Sequence, residues 1–370
     1  VAVDLPSGVP SDSGQVPWLA VRADLTVTFG AAKLGQVLPP ASDLVGDLLV
    51  ADIGIPGRVL EAVGSRVGLI EARDAALAFA PRPPGAHKGT FGHVLVVAGS
   101  VGKTGAAALA ATAALRGGAG LVTLATSERA LSLLGGLRSE VMAEPLASTP
   151  AGSIDRGALE RALSLAEDRD AVVLGPGLSQ DEATRGFVQA FVSHCTKPLV
   201  VDADGLNALS AMEGDAARAA LRALPGRPVV LTPHPGEMAR LCGSTPPAVQ
   251  SRRLEVAREL AQATDARVVL KGQRTLVAEP GGQVAVNPTG NPGMATGGTG
   301  DVLAGLLGAL VARLPPWLAC TAGVFVHGRA GDLAASRLGE AALLAGDVGD
   351  ALPEAIMSLG APGGAPSKRG

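Results

Sequence analysis

The stretch Asn287–Asp301, NPTGNPGMATGGTGD, runs straight into the apolar segment 302–314, VLAGLLGALVARL. It reads as a glycine-rich loop opening a long helix, expected over Asp301–Leu314. Gly297, Gly298 and Gly300 let the backbone approach a ligand closely. The unpaired N–H groups of a first helical turn converge on one point, and the helix dipole adds positive potential there. Such an anion hole suits a phosphoryl group in transfer. Asp301, at the helix start, is the candidate catalytic base. A carboxylate acting only as an N-cap would not need so glycine-rich an approach.

Working outward from this loop, short β-branched runs alternate with longer Ala/Leu-rich ones. Strands are expected at His93–Ala98, Leu121–Ala125, Ala171–Leu174, Pro198–Val201, Pro228–Leu231 and Arg267–Leu270. A hairpin of Arg274–Ala278 and Gln283–Val286 follows, turning at Pro280-Gly281-Gly282. Helices are expected at Gly105–Arg116, Ile154–Glu167, Asp181–His194, Gly214–Ala223, Pro247–Thr264 and Trp317–Arg337. This alternation predicts an α/β fold with a mainly parallel central sheet and helices on both faces. Ligands of such sheets bind beyond the carboxyl ends of the strands. Here those ends read Gly99-Ser100, Gly175-Pro176-Gly177, Asp202-Ala203-Asp204, Thr232-Pro233-His234 and Lys271-Gly272.

The region before Pro81-Arg82-Pro83-Pro84-Gly85 reads differently. Val1-Ala2-Val3-Asp4 is a strand end, and Ala23–Phe29 and Leu48–Ile55 are further strand candidates. The proline-rich stretch is the expected linker, dividing a small N-terminal α/β part (1–79) from a main domain (80–360). Residues 361–370, APGGAPSKRG, read as a disordered tail. The chain begins with a finished strand rather than Met, so an upstream part is expected to be missing.

Composition narrows the function. The 370 residues carry 31 Lys and Arg against 34 Asp and Glu, a formal net charge of −3. That gives no electrostatic case for a nucleic-acid partner. Cys195, Cys242 and Cys320 are far apart and odd in number, which suits a reducing cytoplasm rather than a disulfide framework. No secretory pattern is present, and Gly, Arg or Asp interrupts every apolar run before it could span a membrane. With no Tyr, two Trp and six Phe but 50 Gly, the core must be built from Ala, Val and Leu. A ligand's ring must then be held mainly by apolar and backbone surfaces.

Two more segments carry chemistry. In Lys271-Gly272-Gln273-Arg274-Thr275, Gly272 permits a tight turn. The turn's N–H groups with the Lys271 and Arg274 side chains can hold a nucleotide's phosphates. In Thr232-Pro233-His234-Pro235-Gly236-Glu237, prolines fix His234 where a strand meets a helix. One segment is a decoy: Gly99-Ser100-Val101-Gly102-Lys103-Thr104 looks like a P-loop, but two residues rather than four separate Gly99 from Gly102-Lys103-Thr104. This loop is expected to face the substrate instead.

Taken in order, the chain resembles the NAD(P)H-hydrate dehydratase family of the ribokinase-like superfamily. The resemblance spans about His87 to Asp350. It rests on His87-Lys88-Gly89-Thr90-Phe91-Gly92-His93, Ala98-Gly99-Ser100, Gly117-Gly118-Ala119-Gly120-Leu121-Val122, Gly175-Pro176-Gly177, Asp202-Ala203-Asp204-Gly205-Leu206-Asn207, Thr232–Glu237, Lys271-Gly272 and Gly297–Asp301. It implies a ribokinase-like fold and nucleotide-dependent dehydration of hydrated NAD(P)H, with ADP or ATP and Mg²⁺ as cofactors and a homo-oligomeric assembly. It places the nucleotide on Lys271, Gly272, Gln273, Arg274, Thr275, Gly298 and Gly300, and the hydrate against Ala106, Gly120, His234 and Asp301.

The N-terminal part is similar to the end of an NAD(P)H-hydrate epimerase domain, through Asp4-Leu5-Pro6-Ser7-Gly8, Asp24–Gly30, Lys33-Leu34-Gly35 and Asp52–Pro56. In that family the positions of Asp4 and Ser7 contribute to hydrate and potassium binding. The epimerase's earlier Asn/Gly-rich loop is absent, so no epimerase activity is expected of this chain. Two alternatives stay open on the residues alone: a ribokinase-like kinase of a vitamin precursor, and a non-catalytic nucleotide-binding module.

Overall fold

The structure, a computed structural model, describes residues 1–222 and 224–360. The expected tail 361–370, and the last residue of the expected helix Gly214–Ala223, lie outside the described residues. Two compact units divide at Leu69/Ile70.

In the first unit, β1 (Ala2–Val3), β2 (Leu25–Phe29) and β3 (Asp47–Ala51) form a parallel sheet in the order β1-β2-β3. β4 (Val67–Leu69) is the last strand of this unit in sequence and is not part of that sheet. At the end of β1, Asp4 adopts φ +64°. Its carboxylate accepts hydrogen bonds from the Lys33 ammonium and the Thr28 hydroxyl, both at 2.8 Å. Those contacts, Lys33 first, hold the Asp4 carboxyl below the usual range. Ser7 lies exposed in the following turn.

The second unit contains β5 (His93–Val97), β6 (Leu121–Ser127), β7 (Met142–Leu146), β8 (Ala171–Leu174), β9 (Leu199–Val201), β10 (Val229–Leu231), β11 (Arg267–Leu270), β12 (Leu276–Ala278) and β13 (Val284–Val286). Within this unit the strand order is β13-β12-β11-β10-β9-β8-β5-β6-β7. β5 to β11 pair in parallel; β12 and β13 form the antiparallel hairpin read from the sequence. β7 escaped the sequence reading because MAEPL has no β-branched residue and holds a glutamate and a proline, the latter tolerated in a strand only at a sheet edge. The chain steps from β5 outward to β6 and β7, then returns to the other side of β5 at β8. The crevice between the carboxyl ends of β5 and β8 is thus a topological switch point.

The observed helices include Thr104–Arg116, Leu159–Glu167, Glu182–His194, Arg253–Thr264, Thr299–Val311, Pro316–Leu338 and Ala345–Met357. The expected helix Pro247–Thr264 is two, Pro246–Ser251 and Arg253–Thr264, separated at Arg252. Ala345–Met357 was not foreseen, since Gly346, Gly349 and Pro353 weaken its pattern. Every core strand of the second unit is walled by Val, Leu and Ala at close to zero exposure. Thr299–Val311 packs on Thr104–Arg116 so closely that a Cβ on Gly305 would lie 2.0 Å from the Ala110 carbonyl oxygen. A core with few aromatic rings gains its density from such backbone approach. This packing carries the start of Thr299–Val311 to the carboxyl ends of the central strands.

Candidate active site

The helix expected from Asp301 begins at Thr299, one half-turn earlier. Gly298, with φ +97°, is its N-cap and offers no side chain to it. Asp301 is the third helical residue, so its carboxylate is not the cap. First-turn N–H groups have no acceptor inside a helix, and those of Thr299, Gly300 and Asp301 meet none elsewhere among the described residues. Gly298 has no room for a Cβ, which would sit 2.6 Å from Leu109 Cδ1. Behind this turn the buried His327 holds its Nε2 2.9 Å from the Thr299 carbonyl oxygen. Burial drops the His327 pKa to about 4, so it stays neutral near pH 7 and donates from Nε2.

Lys271, at the end of β11, lies directly over this turn. A Cβ on Gly300 would be 3.2 Å from its Nζ. Lys271 Nζ donates to Asp202 Oδ1 at 2.7 Å and stands 3.8 Å from Glu237 Oε2. Burial alone would lower the ammonium's pKa, but Asp202 and Glu237 outweigh it and raise the value. Thr232 donates to the same Asp202 oxygen at 2.6 Å. Glu237, buried and pushed up by that burial, accepts the His234 backbone N–H at 2.8 Å, with the His234 ring Nε2 3.3 Å from its other oxygen. His234 accepts the Gly236 N–H at Nδ1. Burial, then Lys271 and Arg240, lower its pKa, so it is a neutral donor through Nε2 near pH 7. Asp301, partly buried and facing Asp202, has its pKa raised to about 7 by burial first and by Asp202 second, with Lys271 opposing. A carboxylate with that value can take a proton at neutral pH.

The structure thus brings Gly298, Gly300, Asp301, Lys271 and His234 to one end of the sheet. Two sequence expectations need correction. The side chains of Lys271 and Arg274 do not reach outward: the first is paired with Asp202, and the second donates to the Pro288 carbonyl at 2.8 Å. The Lys271–Thr275 turn itself has Gly272 at φ +136° and Arg274 at φ +55°. The buried Arg253 guanidinium lies beneath that turn, donating to the Leu270 and Arg274 carbonyls.

The second correction concerns Gly120, which is not in this cluster. It precedes β6, whose 7 residues put its far end about 20 Å away. Its missing Cβ is explained by the Lys88 carbonyl oxygen, 1.7 Å from where that atom would stand. Ala106, in the first turn of Thr104–Arg116, instead meets Gly177, where a Cβ would lie 3.0 Å from the Ala106 Cβ. Ser100 donates to the Gly177 carbonyl across the switch point.

Gly177, Asp202 and Glu237 stand in the motifs quoted from the sequence, but none was given a site role of its own. The signal for Gly177 was available. It follows its strand, whereas Gly120 precedes one, and ligands gather past carboxyl ends. Among the described residues no group of three or more Asp, Glu, His or Cys could hold a metal ion. Mg²⁺ suits the site as an ion carried mainly on a nucleotide's phosphates, as it commonly is.

A mainly parallel α/β unit with a glycine-capped helix that carries Asp301 in its first turn is a ribokinase-like architecture. The model of the family described as NAD(P)H-hydrate dehydratase matches residues 94–354, and that described as YjeF-related protein N-terminus matches residues 1–35. The bifunctional NAD(P)H-hydrate repair enzyme of Moorella thermoacetica is 45% identical over 97% of this chain and 67% of its own length. That of Escherichia coli is 36% identical over 94% of this chain and 63% of its own. The chain thus spans about two thirds of these relatives. The ADP/ATP-dependent NAD(P)H-hydrate dehydratase from Bacillus subtilis, co-crystallized with ATP/Mg²⁺, superposes with TM-score 0.67 at 32% identity, covering 79% of this chain and 99% of that one. The chain belongs to the NAD(P)H-hydrate dehydratase family.

Proposed function

We propose that this chain dehydrates the S form of hydrated NAD(P)H to NAD(P)H, with ADP as phosphoryl donor and AMP and phosphate as the other products. The observation that carries the mechanism is Asp301: a carboxylate titrating near neutrality in the same helical turn as N–H groups without a protein acceptor. The hydrate's hydroxyl is a poor leaving group, and phosphorylation makes it a good one. Asp301 accepts the hydroxyl proton as that oxygen attacks the terminal phosphorus. The new O–P bond forms as the bond to the leaving nucleotide breaks. The ring nitrogen's electron pair then expels phosphate, and loss of a proton from the neighbouring ring carbon restores the double bond.

The amides of Thr299–Asp301 stabilise charge on the moving phosphoryl group. Lys271, held by Asp202 and Glu237, adds positive potential over Gly300 without being free to migrate. Bound Mg²⁺ would neutralise phosphate charge. Ala106, Gly177 and neutral His234 are the surfaces offered to the hydrate. The boundary expected at 79/80 moves to Leu69/Ile70, since Ile70, Ala75 and Ala78 pack in the second unit's core; that unit carries this activity, and the first is the end of an epimerase-type domain.

The donor is tested by supplying ADP or ATP at equal concentration with the S and R hydrates separately. Faster NAD(P)H formation with ADP, and from the S hydrate alone, supports the reading. A preference for ATP removes ADP as donor, and equal use of both epimers removes the stereochemical assignment.

A further inference from the structure

The motif His87–Gly92 and Gly120 lie at the opposite end of the sheet from Asp301, yet they are built with care. A cavity of about 310 Å³ is lined by Arg82, Pro83, Ala86, His87, Lys88, Phe91, Ala119 and Gly120. No carboxylate lines it, although acidic residues outnumber basic ones in the chain. The Arg82 guanidinium lies 3.8 Å from the centre of the Phe91 ring and donates to the Gly118 carbonyl at 2.8 Å. Arg313 stands behind it, donating to the Ala78 and Gly117 carbonyls. Burial, then Arg82, lowers the Arg313 pKa, so two cations face each other with no intervening acid.

These two arginines have a structural task, since they satisfy carbonyls where the helix Thr104–Arg116 ends. Lys88 has none: it makes no hydrogen bond or ion pair among the described residues. The loop that presents it is fixed. His87 accepts the Gly89 N–H at Nδ1, Thr90 accepts the His87 N–H, and Gly120 lets the Lys88 carbonyl press onto the start of β6. With Nδ1 an acceptor, the neutral His87 ring carries its proton on Nε2. An exposed guanidinium stacked on Phe91, an exposed ammonium without a protein partner and an imidazole line one open cavity, the donor types that bind an oxyanion.

We propose that this cavity is a second anion site, taking a phosphate group, separate from the catalytic centre and independent of the reaction proposed above. The group could be carried by free phosphate or by a mononucleotide, and the volume admits either.

Inorganic phosphate is titrated into the full chain by calorimetry, with the catalytic site filled by a non-hydrolysable ADP analogue. Binding by the unmodified protein, weakened roughly tenfold or more in Lys88→Glu as loss of a charge-assisted hydrogen bond implies, is the expected result. Lys88→Gln should fall between the two, with thermal midpoint and dehydration rate unchanged in both variants. A second arm with 5′-AMP distinguishes the sources: tighter binding than phosphate identifies a nucleotide, weaker binding the free anion. No phosphate binding by the unmodified protein, or equal binding by it and both variants, overturns the proposal.

Discussion

Two loops of this protein open helices that pack against each other, and they differ in what their own chain places over them. Gly99–Thr104 has the more familiar lettering, but its own chain fills it. Ser100 is bonded to the Gly177 carbonyl, the Val101 N–H to the Gly152 carbonyl, and Lys103 to Asp204 at 3.0 Å. Asp204 also accepts from Ser179 and Gln180. Although burial opposes it, these bonds and the Lys103 charge hold its carboxyl below the usual range. In Gly297–Asp301 the converse holds. The cap has no side chain, the first-turn amides have no protein acceptor, and a single ammonium already fixed by carboxylates stands above them. Acceptor-free amides do not by themselves separate the loops, since those of Thr104, Gly105 and Ala106 meet no acceptor among the described residues either; the glycine cap and the ammonium of Lys271 over the first turn do.

The largest expected effect contrasts the two loops at their charged residues. Asp301→Asn should reduce turnover by roughly a hundredfold or more, as removal of a general base does, with ADP affinity retained. Steady-state rates beside an ADP titration check it, and near-normal turnover would remove Asp301 from the base role.

Next come the glycines. Gly298→Ala forces a Cβ at φ +97° to 2.6 Å from Leu109, and should cost about 1–3 kcal/mol through strain and overpacking. Gly102→Ala, at φ +83° with nothing within 4 Å, should cost only about 1–2 kcal/mol of backbone strain. Chemical denaturation ranks the two, and only the first should weaken ADP binding. The reverse ranking would break the comparison.

The pH dependence follows from Asp301. Its value of about 7, against a reference of 3.8, means that the folded protein binds this proton more tightly than the unfolded chain does. Its contribution to stability therefore falls as pH rises from about 4 to about 7. Turnover, which needs the ionised base, should rise through the same upper value. A kcat/KM profile flat between pH 5.5 and 8.5, roughly the span that would bracket such a base, would contradict this.

The smallest effect belongs to Lys103→Ala. Its pair with Asp204 is half-exposed and should contribute less than about 1 kcal/mol, leaving nucleotide binding unchanged. A large loss of ADP affinity would instead make Gly99–Thr104 a phosphate loop.

Much of this was legible in the sequence. Alternation of β-branched and Ala/Leu-rich runs carried the parallel sheet, and the glycines before Asp301 marked the helix start to within two residues. The less legible features depend on contacts distant in sequence. Asp202 and Glu237 stand in motifs quoted from the sequence, but their partnership is invisible until β9, β10 and β11 lie side by side and both carboxylates close on Lys271. Gly120 and Gly177 have the same lettering, and only their positions before and after a strand separate the pole that binds Lys88's loop from the pole that holds Asp301. β7 and the helix Ala345–Met357 gain their stability from neighbours rather than from local propensity.

The central claim is that phosphate leaves this protein only as hydrated NAD(P)H is repaired. The most direct measurement follows phosphate and NAD(P)H together in one reaction containing ADP, Mg²⁺ and the hydrate. One phosphate is expected for each NAD(P)H formed, and none when the hydrate is omitted. Phosphate released without hydrate, or a stable phosphorylated product in place of NAD(P)H, would contradict it.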